Sequence, residues 1–358
     1  MAHTRKLPCV IMRGGTSRGP YLLGSDLPAD PKARDGVLLA LMGSGHAMQV
    51  DGIGGANPQT SKVAIVSRSA RPGIDVDYLF AQVGIEARSV DTRPNCGNML
   101  AGVGPFAIEA GLVAVNADRT TVRIHNVNTG ARIDAIVQTP GGAVIYDGDA
   151  AIPGVPGTAA PIALLFRDFV GAKTGRLLPS GKATEQIDGL DVTLIDSAMP
   201  MMLLRADDLG IGDLADTGAI DASEAALARI ERMRHEAGRR MGLGDVSRSV
   251  VPKVGLLRAS PDATLAIAYL MPWTVHKSLA VTGGVCLATA VTTPGTVASA
   301  LTGPVGEEAR FAHPSGVMTL TLDKENGSLV GAGVMRTARR LFEGQALVPA
   351  HFYEAQRG

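Results

Sequence analysis

A cysteine flanked by polar residues opens an apolar run near the middle of the first half of the chain. Cys96 lies in Asn95-Cys96-Gly97-Asn98, and the run from Met99 to Leu112 carries a single charge, Glu109. This pattern predicts a buried helix with Asn95 or Cys96 at its N-cap, kinked or shortened by Pro105. The unpaired N–H groups of a first helical turn favour a thiolate and a bound carboxylate. Cys96 is therefore a candidate reactive thiol; the alternative is a small buried hydrophobe.

A lysine stands where a loop enters an apolar strand. Thr60-Ser61-Lys62 leads into the segment from Val63 to Val66. An amine acts as a general base only in its neutral form, so burial or neighbouring cations must lower its pKa. Arg13 and Arg18 are the cationic neighbours expected for Lys62. The alternative interpretation of Lys62 is a solvated charge at a strand edge.

A glycine-rich loop near the start of the chain carries N–H, hydroxyl and guanidinium donors. Its sequence is Arg13-Gly14-Gly15-Thr16-Ser17-Arg18-Gly19, and this donor set suits a carboxylate. A Walker loop is excluded, because Pro20-Tyr21 follows where Lys and Ser or Thr are required. The second glycine cluster, Asp51-Gly52-Ile53-Gly54-Gly55, precedes a strand instead of following one, which disfavours a dinucleotide site.

Composition excludes several classes of protein. Lys plus Arg and Asp plus Glu number 34 each, so no basic field recruits nucleic acid or an anionic membrane. The three cysteines are widely spaced without a CxxC pair, and no His/Asp/Glu cluster has metal-ligand spacing, which disfavours disulfides and metal sites. No signal-peptide pattern or apolar segment of about 18 residues occurs. We expect a soluble, cytoplasmic protein.

The second half of the chain repeats features of the first. Val281-Thr282-Gly283-Gly284 opens a second helix of small residues, as the Cys96 segment opens the first. When Gly97 is aligned with Gly283, Cys96 pairs with Thr282, and both lie 34 positions before a turn glycine, Gly130 or Gly316. This spacing predicts an α+β fold of two like domains, 1–184 and 185–358, each a curled sheet or barrel around one helix, with a last strand that could cross back.

Such a duplication predicts a cleft into which both helix N-termini point, so that N–H donors gather around a ligand with several carboxylates. Only one of the two helices begins with a thiol. The expected site is therefore not a symmetric pair of thiols.

Six motifs occur in order over nearly the whole chain: Met12-Arg13-Gly14-Gly15-Thr16-Ser17, Asp51-Gly52-Ile53-Gly54-Gly55, Thr60-Ser61-Lys62-Val63, Asn95-Cys96-Gly97-Asn98, Thr282-Gly283 and His313-Pro314-Ser315-Gly316. Together they resemble the group of 2-methylaconitate isomerases and 4-oxalomesaconate tautomerases, a branch of the diaminopimelate epimerase-like fold. The resemblance implies that Lys62 and Cys96 are the proton-transfer groups, with no metal or organic cofactor. With Lys62 as the base, we expect Cys96 to act on the opposite side of the carbon frame.

Two blocks, 75–83 and 102–109, look closer to the oxalomesaconate tautomerases. Two departures bear on the substrate. Arg18 stands where members of the group often have lysine, and Pro272-Trp273-Thr274-Val275-His276-Lys277 differs from the pattern of the tautomerases, so we expect a rebuilt pocket wall in the second half.

The expected reaction is a proton shift in an unsaturated oxo-tricarboxylic acid, most nearly 4-oxalomesaconate, through a dienolate. Two alternatives stay open: cis–trans isomerisation of a 2-methylaconitate-type or aconitate-type acid, and non-catalytic binding of a polycarboxylate. A homodimer is compatible with the sequence. The residues expected to bind carboxylates or the developing enolate are Arg13, Ser17, Arg18, Ser61, Asn95, Gly97, Asn98, Thr282, Gly283, Gly284, His313 and Ser315.

Overall fold

Strands joined by hairpins and short helices make up most of the computed structural model, which describes residues 4–94, 96–271 and 273–353. The strands are β1 (Thr4–Gly14), β2 (Ser17–Leu23), β3 (Lys62–Arg68), β4 (Val76–Val83), β5 (Val90–Asp91), β6 (Arg119–Asn126), β7 (Arg132–Gln138), β8 (Ile162–Arg167), β9 (Glu185–Ile187), β10 (Leu190–Ser197), β11 (Met199–Arg205), β12 (Lys253–Arg258), β13 (Leu265–Leu270), β14 (Glu308–His313), β15 (Gly316–Glu325), β16 (Ser328–Arg336) and β17 (Ala338–Pro349). The α-helices are α1 (Pro31–Met42), α2 (Gly97–Leu100), α3 (Val103–Glu109), α4 (Thr217–Asp221), α5 (Glu224–Arg240), α6 (Val281–Thr292) and α7 (Val297–Ala300).

Contacts divide the chain into two compact units. Unit 1 comprises Met1–Leu164 and Met335–Gly358, and unit 2 comprises Leu165–Val334. The boundary expected at 184/185 therefore falls inside unit 2, and β17 belongs to unit 1. β17 belongs to unit 1 because it pairs antiparallel with β1 along its whole length. This pairing covers an edge of the sheet that would otherwise expose unpaired backbone groups.

Unit 1 is built on the strand order β17-β1-β2-β3-β4-β6-β7, with β5 beside β4. The β2–β3 and β4–β6 pairs are parallel, and the other pairs are antiparallel. Helix α2 contacts β1, β2 and β3, while α3 contacts β3, β6 and β7. Because one helical segment touches strands from across the sheet, the sheet curls around it.

Unit 2 repeats this order with its own strands. β10-β11-β12-β13-β14-β15 alternate antiparallel and parallel pairs in the same sequence as β1-β2-β3-β4-β6-β7. Its central helix, α6, contacts β10, β11 and β15. The expected α+β class, with two like units that each wrap a sheet around one helix, is confirmed.

The central helix of unit 1 is interrupted. α2 ends at Leu100 and α3 begins at Val103, so the single helix expected from Met99 to Leu112 is two short ones. The cause is Pro105, whose ring conflicts with the carbonyl four residues earlier, that of Ala101. The chain crosses this point with i→i−3 bonds, from Ala101 N to the Asn98 carbonyl (3.2 Å) and from Gly102 N to the Met99 carbonyl (3.1 Å).

Each unit also packs a helix against the outer face of its sheet. In unit 1, α1 buries Val37, Leu38 and Leu41 against β3 and β4 residues such as Val63. In unit 2, α5 buries Ile230 and Met233 against Val254 and Leu256 of β12. None of the helices in the described ranges is both long and apolar enough to span a bilayer.

Candidate active site

The amine of Lys62 and the thiol of Cys96 are in contact. Lys62 is the first residue of β3, Cys96 is the N-cap residue of α2, and their Nζ and Sγ atoms are 3.3 Å apart. Cys96 is only 7% exposed, whereas Lys62 is half-buried and its Nζ lies 5.7 Å from the centre of the Phe80 ring. The two side chains predicted to transfer protons therefore form one partly buried pair.

Two buried tyrosines fix the backbone around Cys96. The Tyr78 hydroxyl donates to the Cys96 carbonyl (3.4 Å), and the Tyr21 hydroxyl donates to the Met99 carbonyl (2.5 Å). Burial raises the pKa of both tyrosines well above the ordinary value, so both hydroxyls stay protonated and donate. The thiol is thus presented by a segment held from two strands, β2 and β4, which lie on either side of β3.

The tip of the β1–β2 hairpin packs on the start of α2. The Asn98 side chain donates to the Thr16 hydroxyl (3.0 Å), and a Cβ at Gly15 would overlap the Asn98 side chain. Ser17 is 1% exposed, and its hydroxyl has no hydrogen-bond partner within the described part of the chain. A buried hydroxyl without a partner, in the wall of a cavity, suits a ligand oxygen.

Three arginines form a row across neighbouring strands of unit 1. Arg13 of β1 lies opposite Arg18 of β2 on one side and Arg339 of β17 on the other. They line a cavity of about 550 Å³ together with Thr16, Ser17 and Thr60, and neither Lys62 nor Cys96 lines it. Burial, and then the charge of Arg339, lowers the pKa of Arg13.

The arginine row lies on the face of the hairpin that points away from the Lys62–Cys96 pair. Side chains alternate along a strand, and a Cβ at Gly14 or Gly19 would meet residues of α2, so Arg13 and Arg18 face the other way. The expectation that Arg13 and Arg18 surround Lys62 is therefore corrected. Sequence reasoning also missed Arg339, because only long-range strand pairing brings it to Arg13.

Ser61 serves the scaffold. It is fully buried, accepts a hydrogen bond from the Gln49 side chain (2.9 Å) and donates to the Val83 carbonyl (2.9 Å). Its hydroxyl is thus occupied, and the expected contact with substrate has no support in this geometry. Gly97 and Asn98 occupy the first turn of α2, where N–H groups have no intrahelical acceptor. Asn95 lies outside the described residues.

In unit 2, the start of α6 shows which of the predicted donors are available. The Thr282 hydroxyl contacts the Met199 sulfur (3.5 Å). A Cβ at Gly283 would crowd the Tyr269 ring, which accounts for a glycine there. The Gly284 N–H already donates to the Ala280 carbonyl (2.9 Å), so it is not a free donor for a ligand.

The β14–β15 hairpin of unit 2 holds the remaining predicted residues. The Ser315 N–H donates to Nδ1 of His313 (3.2 Å), and the Ser315 hydroxyl donates to the Lys277 carbonyl. Burial lowers the pKa of His313, so its neutral form is favoured. These contacts fix the turn and occupy the Ser315 hydroxyl.

Known proteins resemble the chain over nearly its full length. The model of the family described as "PrpF protein" matches residues 4–349. The chain belongs to the PrpF family. It is 49% identical to the (4E)-oxalomesaconate Delta-isomerase of Novosphingobium sp. (strain KA1), over 95% of this chain and 97% of that protein. It is 48% identical to the 4-oxalomesaconate tautomerase of Pseudomonas putida, over 96% of both.

A solved structure of a PrpF relative extends the comparison to the fold. The crystal structure of a methylitaconate-delta-isomerase superposes with a TM-score of 0.89 at 34% identity and covers 100% of this chain and 99% of that one. This PrpF-family chain is an isomerase, as the motifs predicted, and the non-catalytic binding protein is set aside. Among the residues described here, no three His, Cys, Asp or Glu side chains gather in a way that could hold a metal ion.

Proposed function

We propose that the protein is an isomerase that moves a proton within an unsaturated oxo-tricarboxylic acid, most nearly 4-oxalomesaconate, without a cofactor. The observation that carries the proposal is the 3.3 Å contact between Lys62 Nζ and Cys96 Sγ. Relatives that share almost half of their residues with the chain are named for this acid, whereas a 2-methyl-aconitate isomerase from Shewanella oneidensis is 35% identical. Cis–trans isomerisation of an aconitate-type acid is therefore the second candidate.

The contact between Lys62 and Cys96 supports a catalytic cycle in which direct proton transfer between them restores their starting protonation states. Neutral Lys62 takes a proton from the acidic carbon and becomes an ammonium, which leaves a dienolate. The Cys96 thiol gives its proton to the other end of the dienolate and becomes a thiolate. Transfer of one proton from the ammonium to the thiolate, between atoms already in contact, restores both groups.

The same distance bears on stereochemistry. A carbon skeleton cannot lie between two atoms 3.3 Å apart, so we place Lys62 and Cys96 on one side of the substrate rather than on opposite sides. The shift is then suprafacial: the proton leaves and returns on the same face. This arrangement differs from the expectation, drawn from the sequence, that Cys96 acts on the side opposite to Lys62.

We propose in addition which groups of unit 1 hold the carboxylates and the enolate. The buried Ser17 hydroxyl and the N–H groups of Gly97 and Asn98 are the donors that unit 1 offers. We also propose a cytoplasmic location, which is supported by the three free and buried cysteines, since secreted proteins tend to oxidise theirs.

The test is NMR in deuterium oxide with 4-oxalomesaconate and, side by side, cis-aconitate and 2-methylaconitate. We expect fast isomerisation of the first acid, with deuterium entering on one face of one carbon. Lys62→Met should slow turnover about 10²- to 10⁴-fold. The matched control is Lys32→Met, which removes an exposed lysine of α1 and should leave turnover unchanged. Full turnover by a folded Lys62→Met protein would overturn the proposal.

A further inference from the structure

Like charges lie directly opposite each other on three adjacent strands of unit 1. Arg13 of β1 is the cross-strand partner of Arg18 on β2 and also of Arg339 on β17. Like charges in directly opposed positions destabilise a sheet, and two such pairs lie side by side in this row of three arginines. An anion bound to all three guanidinium groups would relieve the repulsion between them.

The arginine row has no counter-charge of its own. Its three members form no ion pair with any residue that the structure describes. Asp147 lines a smaller adjoining cavity without forming an ion pair with them. By contrast, Arg340, which follows Arg339 and so lies on the other face of β17, pairs with Glu109 and Glu343. The described residues thus neutralise the arginine on one face of this strand and leave the one on the other face unpaired.

Arg13 is fixed in place with part of its guanidinium group free. Its Nη1 donates to the carbonyls of Gly15 (2.9 Å) and Thr337 (3.0 Å) and to the Thr337 hydroxyl (3.0 Å). Its Nε and Nη2 groups donate to no residue in the described part of the chain, although the side chain is half-buried. A guanidinium that is held on one side and unpaired on the other suits an oxyanion.

The cavity beside the arginine row fits an organic anion. Its volume of about 550 Å³ lies within the range of roughly 300–1,000 Å³ that is usual for ligand pockets. Val155, Pro156 and Leu341 give it an apolar wall. Gly55 also lines it, and a Cβ there would overlap Nη2 of Arg18, so a glycine at this position makes room for the guanidinium group. Cationic and apolar walls together suit a carbon skeleton that bears carboxylates.

We propose that the arginine row and its cavity form a second binding site, for a small organic acid with two or three carboxylates, separate from the Lys62–Cys96 pair. Neighbouring strands lie about 4.8 Å apart, so the row is about 10 Å wide and separate carboxylates can reach separate arginines. Neither Lys62 nor Cys96 lines this cavity. Of the groups proposed above to hold the isomerised acid, only Ser17 also lines it. The second site is therefore independent of whether the pair catalyses the proposed reaction.

The test is hydrogen exchange measured by mass spectrometry, which locates a bound ligand along the chain. The probe is tricarballylate, a saturated tricarboxylate without a double bond to move. Peptides covering 150–159 contain the cavity wall at 154–156, and the Ala150 and Ala159 amides donate to each other's carbonyls (3.0 Å). We expect these peptides to exchange about tenfold more slowly at ten times the dissociation constant, and less so at high salt. Absence of protection would overturn the site.

A pair of matched variants tests the role of the arginine row. Arg339→Gln removes one of its three charges and should weaken tricarballylate binding at this site about tenfold or more. Lys6→Gln removes an exposed lysine of β1 outside the cavity and should keep the protection. Arg339→Gln should also unfold at the same temperature as wild type or higher, because it removes a like-charge pair. Full protection in Arg339→Gln would overturn the site.

A third variant distinguishes the second site from the Lys62–Cys96 pair. Lys62→Met should keep the protection of 150–159, because Lys62 does not line the cavity. Loss of protection in a folded Lys62→Met protein would show a single shared site and overturn the proposal. Equal protection by inorganic phosphate at the same concentration would overturn the assignment to organic acids. Failure of the wild type to isomerise any of the acids, with the protection intact, would overturn the proposed reaction and support an independent second site.

Discussion

Removing the Tyr21 hydroxyl should loosen the segment that presents Cys96. Tyr21→Phe deletes one oxygen from a fully buried ring, and that oxygen donates to the Met99 carbonyl at 2.5 Å. Met99 lies in α2, immediately before the interruption of the central helix. The substitution therefore changes a single hydrogen bond at the helix break and keeps the packing of the ring.

The expected loss of stability depends on the hydrogen bonds that the Met99 and Cys96 carbonyls keep after each substitution. After Tyr21→Phe, the Met99 carbonyl keeps the bond from Gly102 N at 3.1 Å, so it is not orphaned, and the expected loss is about 1–2 kcal/mol. Tyr78→Phe is the matched control: its ring is equally buried, but its bond to the Cys96 carbonyl is 3.4 Å long. We expect about 0.5 kcal/mol for that variant.

Amide hydrogen exchange with mass spectrometry measures this opening directly. The single tryptophan, Trp273, lies in unit 2, so its fluorescence does not report on α2. Where exchange follows the opening equilibrium, peptides covering 97–109 should exchange about 5- to 30-fold faster in Tyr21→Phe and about 2-fold faster in Tyr78→Phe. Equal effects of the two variants, or a larger effect of Tyr78→Phe, would refute the reasoning from hydrogen-bond length and burial.

Three further perturbations test the packing, the capping and the ionisation that the structure describes. Gly102→Ala places a Cβ on the Tyr21 hydroxyl and should cost about 1–3 kcal/mol in urea unfolding, whereas Gly97→Ala, with open space around its Cβ, should cost less than about 1 kcal/mol. Asp30→Ala removes the N-cap bond of α1 and should lower stability by about 1 kcal/mol, and Asp30→Asn should retain most of it. Because burial lowers the pKa of His313, the unfolded chain binds more protons there, so stability should fall as the pH drops below about 6.5, by at most about 1.4 kcal/mol per pH unit. His313→Gln should flatten that part of the pH–stability curve measured by thermal unfolding; an unchanged curve would contradict the assignment.

Local sequence patterns predicted where Lys62 and Cys96 lie in their strand and helix, whereas strand pairing decides which face of the sheet the arginines occupy. A polar segment before an apolar run predicted a helix start at Cys96, and a lysine at a strand entrance predicted a side chain at the end of a sheet. The face on which Arg13 lies depends on hairpin register, and a one-residue change of register moves a side chain to the other face. Its pairing with Arg339 joins the two ends of the chain, which local patterns do not report.

The repeat in the sequence predicted the two central helices, but it did not predict that Lys253, the first residue of β12, corresponds to Lys62, the first residue of β3. The reason is a difference in the lengths of the connecting segments. Glycine spacing aligned Cys96 with Thr282, because the segments that follow both have the same length. However, α1 lies between the β1–β2 hairpin and β3 in unit 1, whereas α4 and the longer α5 lie between the β10–β11 hairpin and β12 in unit 2. Loops and peripheral helices tolerate such insertions, while hydrogen-bonded strands keep their register, so Lys62 and Lys253 correspond in the sheet and not in sequence spacing.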